Sequence, residues 1–241
     1  MKKYALILAA GKGTRMNTDI PKCAIDFCGK SIIERIVDTC KQCSFDEIVV
    51  VVGYKSEYIK NILKDEVTYI YQKEQLGTAN AVLCCKEYFE DKEGSVVIIP
   101  GDMPLIDSRT INKLMIVHMN RGYDFTFVST LTNYPNQYGR IFRIEGFIKK
   151  IIEYKDCNEE QRKINEVNSG LYCANIKNMF SELSCIKNNN KAKEYYLTDL
   201  VEIFANKNKA GCYLILDDKK LMGVNDIDEL NKAIKTFKNE Q

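Results

Sequence analysis

Leu8-Ala9-Ala10-Gly11-Lys12-Gly13-Thr14-Arg15-Met16, preceded by the apolar run from Tyr4 and followed by Pro21-Lys22, is the stretch on which the fold turns. Apolar, partly branched residues ahead of a Gly-x-Gly turn read as a strand buried on both faces, ending in a loop that approaches a ligand closely. Successive backbone N–H groups in such a turn form an anion-binding concavity, and Lys12, Arg15 and Lys22 add three cations. A polyphosphate fits that description. Two familiar phosphate loops do not fit: the P-loop needs four residues between its first Gly and Gly-Lys-Ser/Thr, whereas Lys12 follows Gly11 directly. The dinucleotide fingerprint needs a third small residue where Met16 stands. Taken alone, the turn suits a plain strand-to-loop connection equally well.

Working outward, apolar runs at residues 4–9, 47–52, 67–71 and 95–100 alternate with amphipathic stretches, the pattern of a mostly parallel sheet covered by helices. Ser31-x-x-Glu34 is a capping box that opens a helix to about residue 41, with further helices at 55–63, 78–88 and 108–121. The middle of the chain shifts to short strands at 124–131, 139–144, 147–153 and 166–174, and Glu145-Gly146 supplies hairpin turn chemistry. Helices return at 175–183 and 195–206, and a last one starts at Asp226 with Glu229 at capping-box spacing. The fold class is therefore α/β, Rossmann-like, with a β-rich extension. No repeat or low-complexity tract divides residues 1–241, which read as one domain.

Composition narrows the function. A chain of 241 residues buries roughly 70–75% of its unfolded surface and needs no staples. Its 35 basic and 33 acidic residues are interspersed and leave a net charge of only +2, which gives no footprint for nucleic acid or an anionic membrane. Without a long apolar run or signal pattern the chain is expected to be cytosolic, and its ten cysteines to be reduced thiols. Cys40-x-x-Cys43 lacks the second pair that zinc spacing requires. The one histidine, His118, sits in a helical stretch without an identifiable nucleophile beside it, so it reads as structural or solvated.

In open α/β sheets ligands gather outside the carboxyl ends of strands. Three such ends carry polar signatures: Ala10 to Arg15, Gln72-Lys73-Glu74-Gln75-Leu76-Gly77-Thr78, and Pro100-Gly101-Asp102-Met103-Pro104-Leu105. An aspartate at a strand end suits Mg²⁺, which is commonly held by one or two carboxylates and substrate phosphates. A turn or helix-capping aspartate has the same local sequence.

Together these motifs resemble the sugar nucleotidyltransferases, and within them the uridyltransferase half of bifunctional N-acetylglucosamine-1-phosphate uridyltransferase/glucosamine-1-phosphate acetyltransferases. The likeness also takes in Tyr138-Gly139-Arg140, Glu153-x-Lys155-Asp156, Asn168-x-Gly170, Glu194-Tyr195-Tyr196-Leu197-Thr198-Asp199 and Gly223-Val224-Asn225, in the order of the family. The resemblance implies that Leu8, Ala9, Ala10, Gly11, Gln72, Gly77, Thr78, Pro100 and Gly101 bind the nucleotide of UTP, with Lys22 on phosphate. It implies that Asp102 and Asn225 hold Mg²⁺, that Arg15, Lys22 and Asp102 carry catalysis, and that Gly139, Glu153, Asn168, Tyr195, Thr198 and Asn225 face the sugar. Residues 1–122 then form a nucleotide-binding half and residues 123–241 a sugar-phosphate half. The hexapeptide-repeat region that carries the acetyltransferase and trimer of these relatives is not present, so acetyl transfer is not expected and the oligomeric state stays open.

The chemistry agrees with that implication. A phosphate monoester, with a second pKa of about 6, is largely ionised at neutral pH and needs no base to attack. The demand is instead to align two polyanions and offset their repulsion. Two other readings share these residues: a uridylyl- or cytidylyltransferase for another sugar or alcohol phosphate, and a non-catalytic nucleotide-sugar sensor on the same fold.

Overall fold

The computed structural model describes residues 1–16, 18–132, 137–216 and 218–240. In chain order its elements are β1 (Lys3–Ala9), β2 (Asp26–Phe27), β3 (Lys30–Ser31), α1 (Ile32–Lys41), β4 (Glu47–Val52), α2 (Ser56–Leu63) and β5 (Thr68–Tyr71). Next come α3 (Thr78–Leu83), α4 (Lys86–Phe89), β6 (Ser95–Pro100), α5 (Ser108–Arg121), β7 (Phe125–Leu131), β8 (Arg140–Ile144), β9 (Phe147–Ile152) and α6 (Glu159–Arg162). The rest are β10 (Glu166–Asn175), α7 (Ile176–Leu183), α8 (Asp199–Asn206), β11 (Ala210–Ile215) and α9 (Ile227–Asn239).

The main sheet runs β11-β7-β10-β6-β1-β4-β5. Only β10 in that path is reversed, lying antiparallel to both β6 and β7. Alternation along β1 explains its central place: Ala5, Ile7 and Ala9 enter the core on one face, while Tyr4 and Leu6 enter the core on the other. β4 and β6 divide their valines and isoleucines in the same way. Full burial of each such side chain contributes about 1.5–3 kcal/mol, which makes a strand with two apolar faces stable only in the interior of a sheet. The chain moves from β1 to β4 and β5 on one side and returns to β6 on the other. That reversal opens a crevice at the carboxyl ends of β1 and β6.

Local signals in the sequence account for several boundaries. Ser31 Oγ accepts the Glu34 N–H at 3.3 Å and Glu34 returns a carboxylate to the Ser31 N–H at 2.7 Å, so the capping box at α1 is complete. Glu145 and Gly146 join β8 to β9 with φ of 51° and 82°, the left-handed pair of a type I′ turn.

Two expectations are corrected, and one strand is added. The helix expected over 78–88 is two pieces, because Cys85 N–H bonds Val82 carbonyl at 3.0 Å and closes a tight turn between them. The helix expected from Tyr195 starts at Asp199, since the Tyr195 N–H and carbonyl are bonded to the Leu76 carbonyl and the Ala79 N–H at 2.8 and 2.9 Å. Strand β11 was not anticipated: AGCYLI is an apolar run without alternation, interrupted by Gly211, which packs where a Cβ would lie 2.2 Å from the Tyr123 ring. Among the described residues no helix is long and apolar enough to cross a membrane.

Candidate functional site

The crevice is assembled from strand ends. Leu8 pairs with Pro100 across β1 and β6, and the Gly101 N–H bonds the Leu8 carbonyl at 2.9 Å. Gly13, at φ 59°, lets the returning chain lie so close that a Cβ there would sit 2.8 Å from the Lys22 Cβ. That packing aims Lys22 at Asp102. Its ammonium bonds Asp102 Oδ2, and it donates to Asn225 Oδ1 at 2.9 Å. Arg15 donates to the same Asn225 oxygen at 3.3 Å and to Gln137 Oε1 at 3.1 Å. Asn225 reaches this point because the Val224 N–H bonds the Asp102 carbonyl at 2.8 Å, tying the segment before α9 to the end of β6.

Behind this charged cluster lies a cavity of about 360 Å³. Its walls include Leu8, Ala9, Ala10, Gly11, Lys22, Gln72, Gly77, Thr78, Pro100, Gly101 and Asp102, so the positions expected to bind the nucleotide share one space. Gln75, Gly170, Tyr172, Glu194 and Leu197 also line it and were not singled out. Gln75, Gly170, Glu194 and Leu197 stand inside the quoted motifs, so the signal existed; Tyr172 lies beyond them in β10. Gly77 adopts φ 115° with a Cβ position only 2.5 Å from the Tyr195 carbonyl oxygen, a conformation reserved for glycine.

A second cavity of about 540 Å³ adjoins the cluster, bounded by Arg15, Gln137, Tyr138, Glu153, Glu194, Asn225 and Glu229 among others. Thr198 Oγ1 donates to Glu153 Oε1 at 2.9 Å. A Cβ on Gly139 would lie 3.4 Å from the Glu153 carboxylate, and the Gly139 carbonyl accepts the Asn168 N–H at 2.9 Å. Asn168 is 7% exposed and its Nδ2 donates to the Tyr172 hydroxyl at 2.8 Å. Its Oδ1 is buried with no partner among the described residues, an orphaned acceptor of the kind that a ligand hydroxyl satisfies. Gly139, Glu153, Asn168 and Thr198 are thus adjacent. Tyr195 differs, because its ring packs against the core on that face and its backbone bridges Leu76 and Ala79.

Burial raises the Glu153 carboxyl pKa; the Thr198 bond opposes this, while Asp199, Asp156 and Glu194 reinforce it. Burial, with Glu202 and Asp156, pushes Asp199 up to about 6. His118 lies away from both cavities, 3% exposed, with Nδ1 2.9 Å from Thr126 Oγ1. Burial pushes it down to about 4, so it is neutral at pH 7. Cys23 borders the smaller cavity, but burial pushes its thiol up to about 12, which denies the site a thiolate. All ten cysteines are free.

The expected capping box at Asp226 is only half formed. Asp226 Oδ1 accepts the Glu229 N–H at 2.9 Å, but the Glu229 carboxylate bonds the N–H of Asn225, at 2.8 Å, rather than that of Asp226. Glu229 is a site residue that the spacing disguised as a helix cap.

Bifunctional protein GlmU of Acholeplasma laidlawii is 45% identical over 236 residues, which span 98% of this chain and 51% of that protein. The protein of the same name from Clostridium botulinum strain 657 is 42% identical over 235 residues, 97% of this chain and 51% of its own length. The chain spans about half the length of the curated relatives it matches. Among solved structures, a Bacillus anthracis protein provisionally assigned as a glucose-1-phosphate thymidylyltransferase, crystallised with sucrose, superposes with a TM-score of 0.76. It is 17% identical and the match covers 97% of this chain and 94% of that one, a likeness of fold. The profile of the family described as MobA-like NTP transferase domain matches residues 5–164, from within β1 to the segment before β10. This chain belongs to the MobA-like NTP transferase domain family and is a nucleotidyltransferase by family.

Proposed function

We propose that the chain transfers a uridylyl group from UTP to N-acetylglucosamine 1-phosphate, yielding UDP-N-acetylglucosamine and pyrophosphate. The observation that carries the reading is the convergence of Lys22, Asp102 and Asn225 at the mouth of the cavity lined by Leu8 to Gly11, Gln72, Gly77 and Thr78. The identity to proteins named GlmU supports the choice of substrates. In this reading residues 1–122 supply the nucleotide side and residues 123–241 the sugar side.

Asp102 Oδ2 and Asn225 Oδ1 meet on one cation, the Lys22 ammonium. An oxygen-only donor pair that already converges on a positive charge fits Mg²⁺, a hard ion that takes its remaining ligands from water and phosphate. Asp102 and Asn225 would hold it. Bound there, Mg²⁺ would supply neutralisation of the negative charge on the phosphates. Lys22 and Arg15 bind phosphate oxygens and offset the repulsion between the two anionic substrates. Glu153, Asn168 and Thr198 orient the sugar, with Asn168 Oδ1 accepting from one of its donors. No side chain need act as base, because the sugar phosphate is already ionised.

The experiment is a matrix of UTP, CTP and dTTP against N-acetylglucosamine 1-phosphate and glucose 1-phosphate with Mg²⁺, read as pyrophosphate release. The highest rate is expected for UTP with N-acetylglucosamine 1-phosphate; a maximum in any other cell of the matrix overturns the substrate assignment.

A further inference from the structure

We infer that Asn80 sets the choice of pyrimidine by fixing which way the Gln72 amide points. The inference rests on the nucleotide reading above and adds the residue that tells uracil from cytosine. Gln72 follows β5 and is 3% exposed, and its N–H is tied to the Val52 carbonyl at 2.8 Å. Its side chain lines the cavity of about 360 Å³, and its Nε2 donates to Asn80 Oδ1 at 2.8 Å. Asn80 is half-buried in the first turn of α3 and does not line that cavity. It therefore acts through Gln72, as a positioning residue. Gln75 braces the backbone instead, donating from Nε2 to the Gln72 carbonyl at 3.3 Å.

A carboxamide carries an acceptor at one tip and donors at the other, and a half-turn about its last torsion exchanges them. Uracil and cytosine differ by the same exchange. Uracil offers an N–H at ring position 3 and a carbonyl at position 4; cytosine offers a bare ring nitrogen and an amino group. For a base seated in one placement, an amide that complements uracil is mismatched to cytosine at both atoms. The bond from Nε2 to Asn80 Oδ1 couples the two amides: it leaves Gln72 Oε1 as the acceptor for the uracil N–H, and turning Gln72 over to meet cytosine requires the Asn80 amide to turn with it or lose the bond. A site that leaves buried polar groups unpaired rejects the wrong ligand strongly, so an amide locked in place is a selectivity filter and a freely turning one is not.

The test compares UTP and CTP on the full chain, as Kd by calorimetry and as kcat/KM with N-acetylglucosamine 1-phosphate and Mg²⁺. The wild-type chain is expected to favour UTP. Asn80→Leu, which has the size of asparagine but no acceptor, is expected to lower the UTP/CTP ratio about tenfold or more, through loss on UTP and gain on CTP together. Asn80→Asp keeps an acceptor facing Nε2 and is expected to keep the ratio. Equal losses on both nucleotides in Asn80→Leu, or the same collapse of the ratio in Asn80→Asp, overturn the role of Asn80 while leaving the nucleotide reading in place. A wild-type chain that binds neither nucleotide overturns that reading, and this inference with it.

Discussion

The Glu229 carboxylate accepts the N–H of Asn225 at 2.8 Å, so the residue whose amide oxygen faces Lys22 is held from behind by α9. Supporting bonds of this kind fix the direction of a ligand atom, and their loss typically weakens metal binding by about 10–100-fold. Glu229→Ala is therefore expected to raise the Mg²⁺ concentration for half-maximal activity by about tenfold, and Glu229→Gln, which retains an acceptor, by less. Magnesium titrations of both variants decide the matter; identical titrations to wild type would dissociate Glu229 from the site.

Asp102 presents its side chain to Lys22 while its backbone carbonyl anchors Val224. Asp102→Ala keeps the anchor and removes the carboxylate. Turnover is expected to fall by about a hundredfold or more with an unchanged circular dichroism spectrum. Near-normal turnover would remove Asp102 from the proposed metal site.

Glu153, which lines the larger cavity, is grouped with Thr198, Gly139 and Asn168, and Gln72 lines the smaller one. Glu153→Gln and Asn168→Ala are expected to raise KM for the sugar phosphate by about tenfold and to leave KM for UTP within about twofold. Parallel increases in both constants would contradict the division of the crevice.

Gly77→Ala must relieve both a left-handed backbone and a clash with Tyr195. The backbone alone costs about 1–3 kcal/mol, so urea denaturation should show a loss of at least that size. Nucleotide affinity should fall with it, because the bonds from Tyr195 to Leu76 and Ala79 lie beside the cavity.

Asp199 titrates near 6 because burial and the neighbouring Glu202 and Asp156 disfavour its anion. An acid raised in the folded state holds its proton after the unfolded chain has released it, so its stabilising contribution is complete below about pH 4 and is lost as pH rises to about 6. Glu153, also raised, acts in the same sense. Asp199→Asn should flatten the decline in unfolding free energy over that window, measured by urea titration at pH 4, 5, 6 and 7; an unchanged slope would rule out Asp199 as its source.

That Leu8 to Gly11, Gln72, Gly77, Thr78 and Gly101 line one cavity was legible in the sequence because they sit in contiguous motifs directly after buried strands, where apolar alternation and glycine mark the strand ends. Lys22 and Asp102 followed from the same reasoning. The group around Glu153 was harder: Glu153, Asn168 and Thr198 lie at the end of β9, in β10 and in the segment before α8, and only the three-dimensional fold joins them. Tyr195 looked like the start of a helix because its backbone partners, Leu76 and Ala79, are more than a hundred residues away in the chain. Glu229 and Asn80 were masked by ordinary helical surroundings, one at a capping spacing and the other in a first turn. Edge strand β11 escaped because AGCYLI is a short apolar run with a glycine near its start and no alternation, a pattern that does not tell a strand from a helix segment.

The reversal of β10 has a geometrical consequence. Along the path from β11 to β5 every other strand finishes at one rim, and a strand running the opposite way begins there, so β10 brings its early residues, Asn168 to Gly170, towards the opening without a helix to carry the chain back. Material from the middle of the polypeptide thereby meets loops encoded near the start, and the two banks of the cleft are built on one hydrogen-bonded sheet rather than on separate lobes.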